Sequence, residues 1–286
     1  MCADTGFRCG FVAIVGRPNV GKSTLMNHLI ENKVSITSSK PQTTRHVIRG
    51  IYTDSITQFV FVDTPGFQST SHMSLNRHAT ETLKGVDCAL MVVEAMHLLD
   101  GDMAVVKQLP KTLPVILVIN KVDKVNNKAK LADFADYCQM QFAFCAQQII
   151  SAKHHQALDD LKFIIRGQLP ISPPLYDVQA ITDKSERFLV GEIVVEKLFR
   201  YFGKEIPYVV SVEVERFVEV DALCHIYIVL LVNKISQKRM LIGKNGEKLK
   251  KVAVTARKDM EKLLIGRRVL LKMWVKLNSG DNHAKH

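Results

Sequence analysis

The sequence predicts an α/β protein in two parts: a larger domain with a mostly parallel sheet flanked by helices, then a smaller α+β domain. Three observations carry this prediction. First, short and almost wholly apolar runs alternate with helical segments over the first 170 residues, as strands buried on both faces do. Second, a stretch with three prolines, GQLPISPPLYDVQ at 167–179, interrupts that pattern and reads as a semi-rigid linker. Third, the charge shifts across it. Residues 1–179 carry 18 Lys+Arg and 15 Asp+Glu, whereas residues 180–286 carry 21 and 13. The expected boundaries are 1–170 for the first domain, 171–181 for the linker and 182–286 for the second, and 286 residues comfortably fill two domains.

In order along the chain, FVAIV (11–15) is a buried strand ended by glycine, and KSTLMNHLI from Lys22 to Ile30 has helical spacing. TQFVFVDTPG (57–66), CALMVVEA (88–95), PVILVINKVD (114–123) and QQIISAK (147–153) supply further strands. After the linker, TDKSERFLVGEIVVEKLFRYFG (182–203) places Phe188, Leu189, Ile193, Val194, Leu198, Phe199 and Phe202 on a helical stripe. Thr182 or Asp183 is the expected N-cap, and Gly203 the expected stop. YVVSVEVERFVEV (208–220) alternates as a strand does, and Asp221-Ala222 begins a turn into LCHIYIVLLV (223–232). A glycine loop, a helix from about Glu247 to Leu264 and a last strand, RVLLKMWVKL (268–277), complete the chain.

Composition removes several function classes. With 47% apolar and 23% charged residues the chain is globular, not disordered. The longest apolar run, IYIVLLV at 226–232, is far short of a membrane helix, so a soluble protein is expected. Six cysteines form no C-x-x-C pair and no zinc spacing, which fits a reducing, cytosolic compartment. Residues 234–276 hold 14 Lys+Arg against 3 acids. Such concentration reads as a footprint for nucleic acid or an anionic membrane face, against the plainer reading of a solvated basic surface.

GRPNVGKS at 16–23 matches G-x-x-x-x-G-K-[ST] between a strand and a helix, the context this phosphate loop needs. Backbone N–H groups of Gly16, Arg17, Pro18–Val20, Gly21 and Thr24 would surround phosphate oxygens, proline excepted because it has no N–H. The helix N-terminus adds positive potential. Lys22 would bridge the β- and γ-phosphates and Ser23 would ligate Mg²⁺. DTPG at 63–66 puts Asp63 in the Mg²⁺ shell, with Thr64 and Pro65 leading to Gly66, whose N–H approaches a γ-phosphate. NKVD at 120–123 offers the Asp123 carboxylate to guanine N1–H and N2, a pair that adenine lacks. Asn120 ties the base to the loops and the stem of Lys121 lies over its ring. ISAK at 150–153 adds backbone donors from Ser151 and Ala152 toward guanine O6, with Lys153 a further expected nucleotide contact.

Between the first two motifs, KPQTTRH (40–46) offers Thr44, in preference to Thr43, to complete the Mg²⁺ shell and report on the γ-phosphate. Residues 67–80 are the expected second switch. Lys22, Thr44 and Gly66 are the expected catalytic set. Phe67 follows DTPG where a glutamine would orient water, so unaided hydrolysis is expected to be slow. Asn19 either braces the loop or helps hold a monovalent cation such as K⁺.

The second glycine loop, LIGKNGEKLKK, has its glycines two residues apart and no following K-[ST]. Gly243-Lys244-Asn245-Gly246 instead has the spacing with which KH domains clamp a nucleic-acid backbone of about four nucleotides. The order helix, strand, strand, basic loop, helix, strand agrees with the type II KH arrangement. Ile242, Gly243, Lys244, Asn245, Gly246, Lys248 and Lys251 are the expected RNA contacts. Leu241 and Ile242 either line the base groove or belong to the core.

From about Phe11 to Ser279 the chain resembles the Era family of bacterial GTPases, through GRPNVGKST, ITSSKPQTTRH, VDTPG, INKVDK, ISA, AITDKSERF, IGKNG, TARKDM and LKMWVKL. The resemblance implies a GTPase that assists assembly of the 30S ribosomal subunit, its KH domain gripping 16S ribosomal RNA near the 3′ end. It also implies a cytoplasmic location with partial peripheral association to the inner membrane. Nothing such as a heptad requires more than a monomer. The competing expectation is a GTP-dependent RNA placeholder whose slow hydrolysis is incidental. A GTPase of RNA modification would want a catalytic cysteine or cofactor module, and none is visible.

Overall fold

A computed structural model describes residues 6–37, 47–63, 85–203 and 205–278. The chain divides into two compact units, Met1–Asp183 and Lys184–His286, each with its own sheet.

The first unit contains β1 (Arg8–Val15), α1 (Lys22–Leu29), β2 (Ile48–Thr53), β3 (Thr57–Asp63), β4 (Cys88–Glu94), α2 (Asp100–Val106), β5 (Val115–Asn120), α3 (Lys128–Met140), β6 (Ala146–Ile149) and α4 (Leu158–Arg166). The strands lie in the order β2-β3-β1-β4-β5-β6. All pairings are parallel except β2 with β3. Every residue of β3 and β5 is buried, which explains their unbroken apolar sequences: a parallel strand covered on both faces has no solvent side to mark. The sequence periodicity did not reveal β2, IRGIYT. It is the antiparallel edge, six residues long with a glycine inside, too short and interrupted to declare a period. A Cβ on Gly50 would come within 3.0 Å of the Ile30 side chain, so that glycine lets α1 approach the sheet.

The second unit contains α5 (Glu186–Tyr201), the single turn α6 (Ile206–Val209), β7 (Ser211–Val220), β8 (Leu223–Val232), α7 (Ile235–Ile242), α8 (Glu247–Leu263) and β9 (Arg268–Leu277). β8 is central, antiparallel to β7 and parallel to β9. Ile226, Ile228, Leu230 and Val232 project from one face of β8 into a core with Val190, Val194 and Leu198 of α5 and Val252, Ala256 and Met260 of α8. Those spacings of two on the strand and four on the helices are what each element needs to show one apolar face. Asp221 and Ala222 both have left-handed φ, 50° and 60°, as a two-residue hairpin turn matched to strand twist requires.

Three local expectations are corrected. Ser185, not Thr182 or Asp183, caps α5 by accepting the Phe188 N–H at 3.3 Å. Thr182 instead bridges Gly50, and Asp183 takes the Arg49 side chain. The helix ends because Phe202 turns extended (φ −112°, ψ 157°), and Gly203 is not needed as a left-handed stop. A further helix, α7, precedes the glycine loop; its sequence ISQKRMLI buries only Leu241 and so shows little amphipathic signal.

The stretch expected as a linker, 171–181, is bound to the first unit. Ile171 bridges Arg8, the Ile51 N–H donates to the Ile181 carbonyl at 3.0 Å, and Thr182 bridges Gly50. Its clamp is Gln58, a fully buried amide in β3. Gln58 Oε1 accepts the N–H groups of Leu175 (2.8 Å) and Tyr176 (2.9 Å), while Nε2 donates to the Tyr176 carbonyl and to Thr53 Oγ1, both at 3.0 Å. Prolines make the segment stiff, but its backbone polar groups still seek partners, and one glutamine supplies them. Gln58→Leu strands three of those groups and should destabilise the first unit by about 2 kcal/mol. Denaturant titration checks the magnitude, and limited proteolysis should cut first within 172–180 in the variant only.

Candidate functional site

The carboxyl ends of β1, β3, β5 and β6 bring the first set of expected residues together. The glycine loop links β1 to α1. Gly21, with φ 105°, sits immediately before the helix, and a Cβ there would lie 2.4 Å from Asn120 Nδ2. Only glycine satisfies both the dihedral and the space. Asn120, 2% exposed at the end of β5, donates from Nδ2 to the Val20 carbonyl at 2.9 Å. Its Oδ1 accepts the N–H of Lys121 at 2.8 Å and of Ala152 at 3.0 Å. The Ala152 N–H, expected to face guanine O6, is instead taken up by Asn120.

Lys121 has left-handed φ of 68°, and its ammonium donates to the Asn19 carbonyl and to Glu94 Oε2, both at 2.6 Å. Glu94 also receives Lys124 at 3.0 Å. Burial pushes the Glu94 carboxyl up, but hydrogen bonds from the two lysines outweigh it and hold it below the usual range. Ser151 Oγ donates to Asp123 Oδ1 at 2.6 Å. That bond is the main reason the Asp123 carboxyl is held below its ordinary value, so the group is an anion at neutral pH with its other oxygen 4.0 Å from His154 Nε2.

At the other end of the loop, Lys22 curls back so that Nζ donates to the carbonyls of Gly16 (2.9 Å) and Arg17 (2.8 Å). Burial pulls its ammonium down to about 8, against the opposing pull of Asp63 and Asp102. Asp63 is fully buried, and its Oδ2 accepts both Ser23 Oγ and Ser35 Oγ at 2.8 Å. Ser35 and Glu94 were missed by the sequence reading. Neither belongs to a motif, and their partners lie 28 and 27 residues away. Asn27 fixes Ser35: it accepts the N–H of Val34 and Ser35 and donates to the Ser35 carbonyl. Arg17 turns outward to Asp102 at 2.7 Å, and Pro18 and Asn19 form the tip of the loop, with Asn19 at φ 65°. Thr24 follows Ser23 on α1, half-buried, and Lys153 follows Ala152 with its side chain exposed. Thr44, Thr64, Pro65 and Gly66, with both expected switch segments, lie outside the described residues.

Ser23 and Asp63 present a hydroxyl and a carboxylate 2.8 Å apart beside the loop. Two hard oxygen donors at a phosphate-cradling loop fit Mg²⁺.

The second set lies in the other unit. Gly243 has φ 74° and ψ −179°, a region closed to other residues, and a Cβ would meet the Lys248 side chain at 2.8 Å. Asn245 (φ 52°) and Gly246 (φ 78°) are left-handed. The loop thus makes a tight exposed turn at the start of α8, with Lys244 and Asn245 exposed. Lys248 and Lys251 project from the first turns of α8 over the rings of Phe202 and Tyr201, at 5.9 and 4.9 Å. Leu241 is fully buried in the core, and Ile242 packs against it partly exposed. Farther along α8 a cavity of about 950 Å³ is lined by Lys197, Arg200, Lys258, Lys262 and Arg268 with Thr255, Asp259, Glu261 and Gly266, so basic character extends the length of the helix.

Among known proteins, residues 11–121 match the family described as 50S ribosome-binding GTPase, and residues 205–282 match the KH domain. GTPase Era of Neisseria meningitidis serogroup A is 56% identical over 285 residues, covering 97% of this chain and 92% of that protein. GTPase Era of Chromobacterium violaceum is 54% identical over 281 residues, covering 97% and 95%. The crystal structure of an Aquifex aeolicus Era variant bound to GDP and AlF4⁻ superposes with a TM-score of 0.89 at 33% identity, covering 96% of this chain and 95% of that one. A structure of Era with MgGDPNP and nucleotides 1506–1542 of 16S ribosomal RNA matches with the same score, identity and coverage. A mostly parallel sheet carrying a phosphate loop, followed by a KH unit, is thus shared along nearly the whole chain, which belongs to the Era family of GTPases.

Proposed function

We propose that this protein is a GTP-driven switch that grips single-stranded RNA near the 3′ end of 16S ribosomal RNA and assists assembly of the 30S subunit. The observation that carries it is the exposed GKNG turn at the start of α8, with positive φ at three of its four residues and Lys244, Lys248 and Lys251 beside it. A sugar-phosphate backbone approaches such a turn closely because no Cβ stands at Gly243 or Gly246. The family relative solved with a 16S ribosomal RNA segment supports the same reading.

In the first unit Gly16–Thr24 cradle the phosphates, Asp123 and the Ser151–Lys153 loop select guanine, and Asn120 joins the two. Lys22 leaves the carbonyls of Gly16 and Arg17 to meet the phosphates. Ser23, Asp63 and Thr44 would hold Mg²⁺, which would supply positive charge beside the phosphoryl oxygens. Gly66 would donate its N–H to the γ-phosphate, and Asn19, whose carbonyl takes the Lys121 ammonium, would brace the loop or help hold a K⁺ ion there. RNA and GTP strengthen each other's binding by equal factors, as linkage demands, and hydrolysis releases the RNA. The protein works as a monomer in the cytoplasm with a peripheral contact at the inner membrane; no helix among the described residues is long and apolar enough to cross one.

Three measurements test this. GTP turnover in K⁺ buffer should rise when a short single-stranded RNA from the 3′ end of 16S ribosomal RNA is added. Unchanged turnover with RNA demonstrably bound would sink the switch. Lys244→Glu with Lys248→Glu should weaken RNA binding and flatten its dependence on salt, because fewer counterions are released, while GTP binding stays intact. Finally, Lys22 with a lowered value of about 8 gives the folded protein fewer protons than the unfolded chain between about pH 8 and 10.5, so its contribution to stability rises with pH across that window. Phosphate binding reverses the shift. A GTP analogue binding at pH 8.5 should therefore take up roughly three-quarters of a proton, and at pH 7 only about a tenth. Lys22→Arg, always charged, should bind without uptake; calorimetry in buffers of different ionisation enthalpy reads this.

A further inference from the structure

Behind the loop that carries Ser151 and Ala152 stands a pair of histidines that no motif includes. His28, on the last turn of α1, hydrogen-bonds through Nδ1 to the Ala152 carbonyl. A carbonyl only accepts, so the imidazole carries its proton on Nδ1. His155 lies flat on the His28 ring, with centroids 3.9 Å apart and planes 16° from parallel. His155 itself has left-handed φ of 55°, as does Ala157 at 59°, and the Gln156 N–H closes the loop onto the Ser151 carbonyl at 3.0 Å. Two non-glycine residues in that region cost energy, so something must hold the loop in shape.

The Ala152–Lys153 peptide is planar and trans, so its C=O and N–H point in opposite directions. Pinning the Ala152 carbonyl toward α1 therefore aims the Lys153 N–H away from α1. On the other side of Ala152, the N–H is already held by Asn120. The two peptide planes flanking Ala152 are thus fixed independently, one by Asn120 and one by His28. α1 is also the helix whose first turn carries Lys22 and Ser23, six and five residues before His28 and about 8–9 Å away along its axis. One rigid element sets both the phosphate end and the base end.

We propose that His28, capped by His155, is a positioning residue for base recognition: it orients the Ala152–Lys153 peptide so that the Lys153 N–H meets guanine O6. This rests on the reading of the first unit as a guanine-nucleotide site, and the test separates the two. The probes are GDP, 6-thio-GDP, in which sulfur replaces O6 while N1–H and the N2 amino group remain, and ADP. Dissociation is followed by fluorescent GDP release. In His28→Phe, which keeps a ring against His155 but lacks the donor, GDP release should be roughly tenfold faster and the preference for GDP over 6-thio-GDP should shrink by a similar factor. His28→Asn, whose amide nitrogen falls near the Nδ1 position, should restore most of both. Wild-type release and an unchanged GDP to 6-thio-GDP ratio in both variants would overturn the role of His28. Equal affinity of the wild-type protein for GDP and ADP would overturn the nucleotide reading itself. A general loss of fold in His28→Phe would lower affinity for GDP and 6-thio-GDP alike, leave their ratio at the wild-type value and so count against the proposal.

Discussion

The first unit depends on one buried amide. Asn120 stands at the end of β5 with its donor on the phosphate loop and its acceptor shared between the start of the NKVD turn and the Ala152 N–H. A net hydrogen bond is worth about 1 kcal/mol, but each of these partners would cost more if left alone in a site from which water is excluded. The constraint runs outward from there. Because Nδ2 occupies the space beside Gly21, that residue has no room for a side chain. Because Gly21 turns with φ 105°, the following helix begins with Lys22 and Ser23 facing Asp63. Three loops from distant parts of the sequence are held to one point, which makes a pocket out of strand ends.

The two glycine loops use the same residue for different reasons. In the first, the glycines yield space to groups of the protein itself, the Val92 carbonyl at Gly16 and the Asn120 amide at Gly21, each 2.4 Å from where a Cβ would be. In the second, Gly246 has no neighbour within 4 Å of its missing Cβ, and left-handed backbone is what it supplies. A loop packed against its own fold is pre-organised around a small ligand; an open turn flanked by lysines suits a backbone arriving from outside. That difference, more than the motif spacing, separates the nucleotide cradle from a surface for a polymer.

Much of this was legible in the sequence, for physical reasons that also explain the gaps. Strands buried on both faces, β3 and β5, announce themselves, and the one-faced β8 and β9 fall at 223–232 and 268–277 as their apolar patterns indicate. Motifs that sit on strand ends were found because the chemistry of phosphate and base fixes their spacing. β2 and α7 were not found: one is a short edge interrupted by glycine, and the other buries a single residue. Glu94, Ser35 and His28 were invisible because each acts on a group far away in the sequence, and only the sheet order brings them there. Where Leu241 and Ile242 remained undecided, packing divides them, the first in the core and the second at its margin.

The proline-rich segment shows why composition alone misleads about tethers. Prolines stiffen a chain and remove donors, which reads as a spacer. Yet every non-proline residue retains an N–H and a carbonyl that seek partners, and an edge strand such as β2 offers unpaired ones in return. Residues 181 and 182 take that edge, and Gln58 takes residues 175 and 176. Only Lys184 then separates Asp183, bound to Arg49, from Ser185, the cap of α5. A tether of about thirteen flexible residues would let two units act almost independently, since effective concentration falls with linker length. The segment here is not such a tether, because β3 holds its middle and β2 its end. The segment up to Asp183 is therefore part of the first unit's own structure, held by Gln58 and by the edge of β2, and its prolines shape a bound strap and not a spacer.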